Sequence, residues 1–177
     1  AQNLVRAEQF TSGQEPNKGS SYPDLNFNGT LVVFESEASN LQTDEVSTSG
    51  RQIFLWDLRG GGVGSIQAIT NGNGESSSPG IDQSGKLVVF SSYATDLLLP
   101  KPDNNAMSDI FLYKVDDGTT HLCNRNSFGD QAAGGSSLEP RISGDGTAIV
   151  FKSSAPNMIR GKGISFRRTR SVNFCQT

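Results

Sequence analysis

The chain has 177 residues, of which 18 are acidic and 15 are Lys or Arg, and its formal net charge is −3. This balance argues against a nucleic-acid-binding protein, because such proteins usually carry a basic surface. A hydrophobic share of 34% together with 20 glycines favours short strands joined by many turns. No apolar run approaches the ~20 residues that span a bilayer. We therefore expect neither a nucleic-acid partner nor membrane insertion.

One sequence pattern recurs three times along the chain. It reads NFNGTLVVFESEASNL from Asn26, DQSGKLVVFSSYATDL from Asp82 and SGDGTAIVFKSSAPNM from Ser143. Self-similarity at a fixed spacing is the signature of a repeat architecture. The spacing predicts repeats of about sixty residues, at roughly 20–75, 76–136 and 137–177.

In chain order, each repeat begins with small polar residues and a proline, and then has a short strand and a turn that contains glycine. Asn-Gly and Asp-Gly dipeptides tolerate the positive φ angles that tight hairpins need. An apolar strand that ends in phenylalanine follows the turn. The prolines are Pro23, Pro79 and Pro140, the turns are Asn28-Gly29, Ser84-Gly85 and Asp145-Gly146, and the phenylalanines are Phe34, Phe90 and Phe151.

A third strand and a weaker fourth strand complete the repeat. The third strand starts at Gln52 (QIFLWD) and at Asp109 (DIFLYK), and it is apolar on both sides, as suits a strand covered on both faces. The fourth is predicted at Ile66–Thr70 and Thr120–Cys123. Four short antiparallel strands per repeat, stacked face to face, form the blade of a β-propeller. We therefore predict an all-β chain in which residues 1–177 form a single propeller-type domain with three blades.

Three blades are too few for a closed ring, which normally takes about four to eight. Residues 1–19 match the end of a repeat, so Leu4–Glu8 is predicted to be the outer strand of a blade whose other strands lie elsewhere. Self-association of two chains could close a six-bladed ring, or the chain could be a fragment of a longer propeller, and both interpretations stay open. Three blades alone are expected to leave two apolar sheet faces bare. The tail departs from the repeat, and 164–166 resembles a third strand only weakly.

The repeats resemble a known family over most of the chain, from about Ser20 to Met158. The series from Pro140 to Asn157, together with SDIFLY at Ser108–Tyr113, closely resembles the TolB-type, WD40-like β-propeller repeat. The resemblance implies a propeller, usually of six blades, in a periplasmic or secreted protein. It also implies a non-enzymatic module that binds a protein partner or another ligand. Related propellers stand beside hydrolase domains, so the alternatives are the propeller part of a hydrolase or sugar-active enzyme and a purely structural domain of a larger exported protein.

The loop before the third strand of the second repeat has the composition of a cation site. Asp103, Asn105 and Asp109 place oxygen ligands at spacings that a calcium ion could use. The alternative is an Asx-rich turn that is stabilised by its own side-chain hydrogen bonds. Calcium is thus the one cofactor that the sequence suggests.

Two further features bear on chemistry. The single histidine, His121, falls in a predicted outer strand with no Gly-x-Ser-x-Gly sequence nearby, which argues against a serine hydrolase in this chain. The tail at 160–170 is basic; a solvated strand end is the default interpretation, and an anionic partner is the alternative.

Overall fold

A computed structural model describes residues 16–42, 46, 50–98, 105–125 and 129–158, and the backbone of 171–176. Within these ranges the chain forms strands, turns and bends and has no helix. It follows that none of the described residues belongs to a helix that could cross a membrane.

The strands form three antiparallel sheets, which we call the first, second and third blades. The first blade has the order β1-β2-β3-β4, the second β5-β6-β7-β8, and the third β11-β10-β9. The prediction of an all-β chain built of propeller-type blades is confirmed. The strands are β1 Ser20–Leu25, β2 Leu31–Ser36, β3 Gln52–Asp57, β4 Ser65–Ala68, β5 Ser76–Ile81, β6 Leu87–Ser92, β7 Asp109–Lys114, β8 Thr119–Leu122, β9 Ser137–Ile142, β10 Ala148–Ser153 and β11 Ser171–Gln176.

The blades stack face to face because their middle strands are apolar on both sides. One face of the first blade and one face of the second bury a shared cluster that includes Val33, Leu55, Val88 and Phe90. The other face of the second blade packs against Ile149 and its neighbours in the third. The first strands of successive blades touch, β1 with β5 and β5 with β9, so they form the inner side of the stack.

The hairpin between the first two strands of each blade is held by polar side chains. In the first blade, Asn26 Oδ1 accepts the backbone N–H groups of Thr30 and Leu31, both at 3.0 Å. The Gly29 N–H donates to the carbonyl of Asn26 at 3.0 Å, and Gly29 has φ of 67°. Only the glycine of each predicted turn dipeptide has positive φ, so the loop is longer than a two-residue hairpin turn. Asp82 Oδ1 accepts the equivalent N–H groups of Lys86 and Leu87 in the second blade. In the third blade the two acceptors are separate: Ser143 Oγ accepts the N–H of Ala148, and Asp145 Oδ1 accepts that of Thr147.

The three repeat prolines lie inside the inner strands, whereas the sequence predicted that a strand begins after each of them. A bulge shifts the register around the proline in every blade, for example between Ser21 and Asp24. Proline lacks an N–H group, and a bulge is one of the few places in a sheet that tolerates this. The residue before each proline has positive φ, which is uncommon outside glycine: Tyr22 at 52°, Ser78 at 56° and Glu139 at 54°.

The third blade takes its third strand from the tail. β11 pairs with β10 along six residues, from Ala148 with Gln176 to Ser153 with Ser171. The sequence had pointed weakly to 164–166 for this strand. Those residues and the predicted outer strand Leu4–Glu8 lie outside the described residues.

The expectation of two bare end faces is wrong for the middle strands of the first blade. Phe34, Phe54 and Trp56 point away from the second blade, and all three are buried. Leu41 and Val46, from the loop after β2, pack against them. This loop shields the middle strands β2 and β3 but leaves β1 exposed along most of its length.

Candidate functional site

The loops that join β2 to β3, β6 to β7, and one blade to the next lie at the same end of the blades. We call this end the loop face; its described residues are 37–42, 46, 50, 51, 69–75, 93–98, 105–108, 123–125, 129–136 and 154–158. The hairpins lie at the opposite end, because antiparallel strands alternate in direction. Binding residues of β-scaffolds concentrate on such loops.

Asp109, at the start of β7, is the centre of a buried polar network on the loop face. Its side chain is fully buried. Oδ2 accepts hydrogen bonds from Asn105 Nδ2 at 3.0 Å and from Gln131 Nε2 at 2.8 Å, and Oδ1 accepts one from Asn124 Nδ2. A buried carboxylate needs such donors, since an unsatisfied one is costly. The network ties the loop before β7 to the loops that lead into the third blade.

The structure brings two of the three predicted calcium ligands together, and the third, Asp103, lies outside the described residues. Asn105 turns its amide nitrogen towards Asp109, and its Oδ1 accepts the N–H of Met107 at 2.7 Å. A calcium ion would require oxygens from both residues, so the amide would have to turn. Among the described residues no group of three or more His, Cys, Asp or Glu side chains could hold a metal. Calcium binding stays a prediction.

The first blade has a different polar pair in the place of Asp109 and Asn124. Thr70 Oγ1 accepts the N–H of Ile53 at 2.8 Å and donates to Gln52 Oε1 at 2.9 Å. Gln52 Nε2 in turn donates to the carbonyl of Gly74 at 3.2 Å, on the connection to the next blade. In both blades a buried polar pair fixes the end of the third strand to the loop that leads onward. This indicates a structural role for the position.

A second buried carboxylate links the first two blades. Glu35 is almost completely buried, although it stands in an apolar strand. Its Oε1 accepts from Ser21 Oγ at 3.1 Å and from Arg51 Nη1 at 3.2 Å, and its Oε2 accepts the backbone N–H of Ser78 at 2.8 Å. Arg51 also reaches Glu75, with 3.4 Å between Nη2 and Oε2. Burial lowers the pKa of Arg51, but the two carboxylates outweigh this effect and leave the pKa above its usual value.

Sequence analysis missed Glu35, although the repeats contain a signal for it. The equivalent residues are Ser91 and Lys152, so this one position carries an acid, a hydroxyl and a base in three otherwise similar strands. Such variation within a repeat marks a place where the environment differs between blades. A comparison of the repeats position by position would have found it.

His121 lies on β8, the outer strand of the second blade, and is exposed. Its Nε2 is 3.1 Å from Thr119 Oγ1 on the same strand. The predicted place of this residue in an outer, solvent-facing strand is confirmed.

Exposed apolar side chains single out one part of the loop face. Tyr93 and Met107, at the two ends of the loop between β6 and β7, are 47% and 38% exposed. The two described ends of the loop are held in place, since the Tyr93 N–H donates to the carbonyl of Glu75 at 2.9 Å and Met107 stands two residues from Asp109. An exposed aromatic side chain and an exposed methionine beside ordered strand ends are typical of a contact surface for a partner.

Comparison with known proteins identifies the fold. No protein-family model and no curated protein sequence matches the chain. Among solved structures, a protein assigned as TolB from Agrobacterium tumefaciens is similar, with a TM-score of 0.52 and 17% identity over 80% of this chain. The chain has a TolB-like β-propeller fold.

Two structures of enzymes are also similar to this chain. A prolyl endopeptidase structure has a TM-score of 0.50 at 10% identity over 97% of this chain. An oligogalacturonate lyase in complex with manganese has a TM-score of 0.48 at 14% identity over 93% of this chain. The chain spans 41% of the TolB structure, 22% of the endopeptidase and 36% of the lyase. At these identities the similarity shows the fold alone.

Proposed function

We propose that this TolB-like propeller is a non-enzymatic binding module whose loop face docks a protein partner. The observation that carries the proposal is the pair of exposed apolar side chains, Tyr93 and Met107, at the two described ends of the loop between β6 and β7. Aromatic residues and methionine are enriched where protein interfaces are buried. Loops held by a rigid scaffold often carry the binding residues, with function grafted onto a common fold.

The buried acids behind the loop face support binding over catalysis. Asp109 accepts three amide donors, and Glu35 accepts a hydroxyl, a guanidinium and a backbone N–H. Both carboxylates are therefore engaged in holding loops and strands in place. A rigid framework of this kind preorganises a contact surface and lowers the entropic cost of binding.

The place of action and the assembly form part of the same proposal. The resemblance to the TolB-type repeat supports a periplasmic or secreted location. The inner strand β1 is exposed, whereas the inner strand β5 of the next blade is largely buried, and this exposure supports self-association of two chains into a ring. A closed ring would surround a central channel with the loop face at its mouth.

The propeller part of a hydrolase is the second candidate. The similarity to a prolyl endopeptidase extends over 97% of this chain and favours it. In that case the chain would position or admit substrate for a catalytic domain, and binding at the loop face would be weak without that domain.

The experiment is a binding measurement with matched variants. Partners cross-linked to the exported chain are identified by mass spectrometry, and the affinity of each purified partner is measured by calorimetry. Tyr93→Ala and Met107→Ala should each weaken binding by about tenfold or more, as removal of an interface anchor does. Val63→Ala is the control, because Val63 is 51% exposed in the hairpin between β3 and β4 at the opposite end. Equal affinity for all three variants would contradict the proposal.

A further inference from the structure

A serine hydroxyl holds the sulfur of Met107 on the loop face. Ser136 Oγ donates a hydrogen bond to Met107 Sδ at 3.9 Å, and the same oxygen accepts the N–H of Ser108 at 3.4 Å. Ser136 leads into β9 of the third blade, whereas Met107 and Ser108 lead into β7 of the second. The sulfur therefore lies where these two blades meet. Because a thioether is a weak acceptor, the hydrogen bond that it receives is weak.

The hydroxyl group of the next residue, Ser108, has no hydrogen-bond partner. Ser108 is 1% exposed, and its Oγ is one of two buried side-chain polar atoms in the described part of the chain that make no hydrogen bond. Leaving a buried hydroxyl unpaired costs about 1–3 kcal/mol. A strong acceptor at the sulfur of Met107 would therefore meet two serine donors, one of them engaged weakly and the other not at all.

The same two positions touch in the first blade, but without a sulfur atom. Gly50 stands at the position of Met107, and Glu75 stands at that of Ser136. A Cβ added to Gly50 would clash with Glu75 Cγ, so the Glu75 side chain packs directly over the glycine. The contact thus belongs to the scaffold of both blades, whereas the pairing of a methionine with a serine is particular to the boundary between the second and third.

Met107 is also the more accessible of the two methionines in the sequence. It is 38% exposed. Met158 is half-buried and packs against the apolar cluster between the second and third blades. An oxidant must reach the sulfur atom, so exposure favours reaction at Met107.

We propose that Met107 is a reversible oxidation site that regulates docking at the loop face, an inference that rests on the proposed function. A peroxide transfers one oxygen atom to Sδ. The S–O bond forms as the O–O bond breaks, the sulfur is oxidised by two electrons, and the peroxide is reduced to water or an alcohol. A pair of thiols returns the sulfoxide to the thioether, is itself oxidised to a disulfide, and releases water.

The sulfoxide oxygen is a strong acceptor, and Ser136 Oγ and Ser108 Oγ are its donors. Oxidation therefore replaces a flexible apolar side chain by a polar group that is fixed to the scaffold. A partner that buries Met107 together with Tyr93 would have to desolvate this polar group, which is costly. Docking is thus weaker in the oxidised chain.

Peroxide treatment of the purified chain, followed by peptide mass mapping, tests the site. Met107 should gain one oxygen atom about tenfold faster than Met158. Thermal unfolding tests the donors. Ser108→Ala lacks the hydroxyl that the sulfoxide needs, so oxidation should lower its melting temperature by more than that of the parent. Ser91→Ala, at a buried serine outside the contact, should respond to oxidation as the parent does. Equal rates at the two methionines, or equal shifts for Ser108→Ala and the parent, would overturn the proposal.

Calorimetry with the loop-face partner tests the regulation of docking. Oxidation should weaken binding by the parent about tenfold. Met107→Leu has no sulfur at this position, so peroxide should leave its own affinity unchanged, whereas Met158→Leu should lose affinity on oxidation as the parent does. If the oxidised parent binds as the reduced one does although Met107→Ala weakens binding, the regulation is overturned and the proposed function stands. Equal affinity of Met107→Ala and the parent would instead contradict the proposed function.

Discussion

The carboxylate of Glu35 accepts the backbone N–H of Ser78 at 2.8 Å across the boundary between the first and second blades. Ser78 precedes Pro79 in the bulge of β5 and has φ of 56°, a conformation that a non-glycine residue adopts at a cost. The hydrogen bond satisfies an N–H group that the bulge removes from the ladder. A side chain of one blade therefore stabilises the irregular inner strand of the next.

Glu35→Ala should lower the free energy of unfolding by about 3 kcal/mol, because it strands the Ser78 N–H and leaves Arg51 without its buried partner. Ser91→Ala is the control at the equivalent position of the second blade; Ser91 is buried too, but it bonds only within its own sheet, to Ser77. That substitution should cost about 1 kcal/mol. Urea denaturation measures both, and equal losses would show that the bond between blades contributes little.

Gly146→Val should destabilise the chain by about 2 kcal/mol, since a β-branched residue resists positive φ. Gly146 has φ of 74°, and an added Cβ would come within 3.0 Å of Leu87 Cδ1 in the preceding blade. Gly60 is the matched control, because it has open space around it and no positive φ. The two melting temperatures should differ clearly. If Gly60→Val melts as low as Gly146→Val, the account of the hairpin is incorrect.

Asp109→Ala should cost about 3 kcal/mol of stability, because three side-chain amides lose a buried charged acceptor. Asp116 is the control. It lies in the turn after β7 of the same blade and is exposed, with 3.9 Å between its Oδ2 and Lys86 Nζ. Asp116→Ala should therefore change the stability by less than about 0.5 kcal/mol. Chemical denaturation measures the free energy of unfolding of both variants. Similar small losses would mean that water satisfies the three amides when the Asp109 carboxylate is removed.

The calcium hypothesis for Asp103, Asn105 and Asp109 predicts that millimolar calcium raises the melting temperature of the parent chain, since a ligand that binds only the native state stabilises it. Asp103→Ala should remove this gain. It avoids the loss of buried hydrogen bonds that Asp109→Ala brings. Magnesium serves as the control ion, because it demands a tighter octahedral site. A parent chain that melts alike with and without calcium would leave the loop as an Asx-rich turn.

Stability should fall in acid partly through Asp57. The side-chain hydrogen bond from Arg59 lowers the pKa of Asp57 below its ordinary value of 3.8, with 2.7 Å between Arg59 Nη2 and Asp57 Oδ2. Since the pKa is lower in the folded state, this contribution is complete above the unfolded pKa and is lost as the pH falls through the folded pKa. The pair is partly exposed, so the contribution is at most about 1 kcal/mol.

Denaturation midpoints of Asp57→Asn and the parent, followed from about pH 5 to about pH 2, check this expectation. The variant should lose less stability over the interval than the parent does. Asp116→Asn is the control, since its ion pair is exposed. A parallel decline of Asp57→Asn and the parent would refute a contribution from Asp57.

Local patterns were enough to predict most of the strands. The third strands begin at Gln52 and Asp109 as predicted, because apolar residues on both sides can only be a buried strand in this context. The fourth strands begin one residue earlier than predicted, at Ser65 and Thr119, since their alternation is weak and pairing sets their ends. β11 was missed because SVNFCQ differs from the third strands of the other blades and pairs with β10 by tertiary contact.

By itself the sequence determined the repeat, the blade and the position of each hairpin, because these follow from periodicity and from residues with special backbone preferences. Only the tertiary structure decided what the variable positions of the repeat do. Glu35 and Ser91 are equivalent in the repeat and both can accept a hydrogen bond, yet Glu35 accepts the N–H of a neighbouring bulge, whereas Ser91 bonds to Ser77 within its own sheet. Likewise Leu25 and Ile81 read alike, but one is exposed and the other buried. The physical reason is that a side chain's burial and partners depend on which blade covers it, and a sequence repeat does not contain that information.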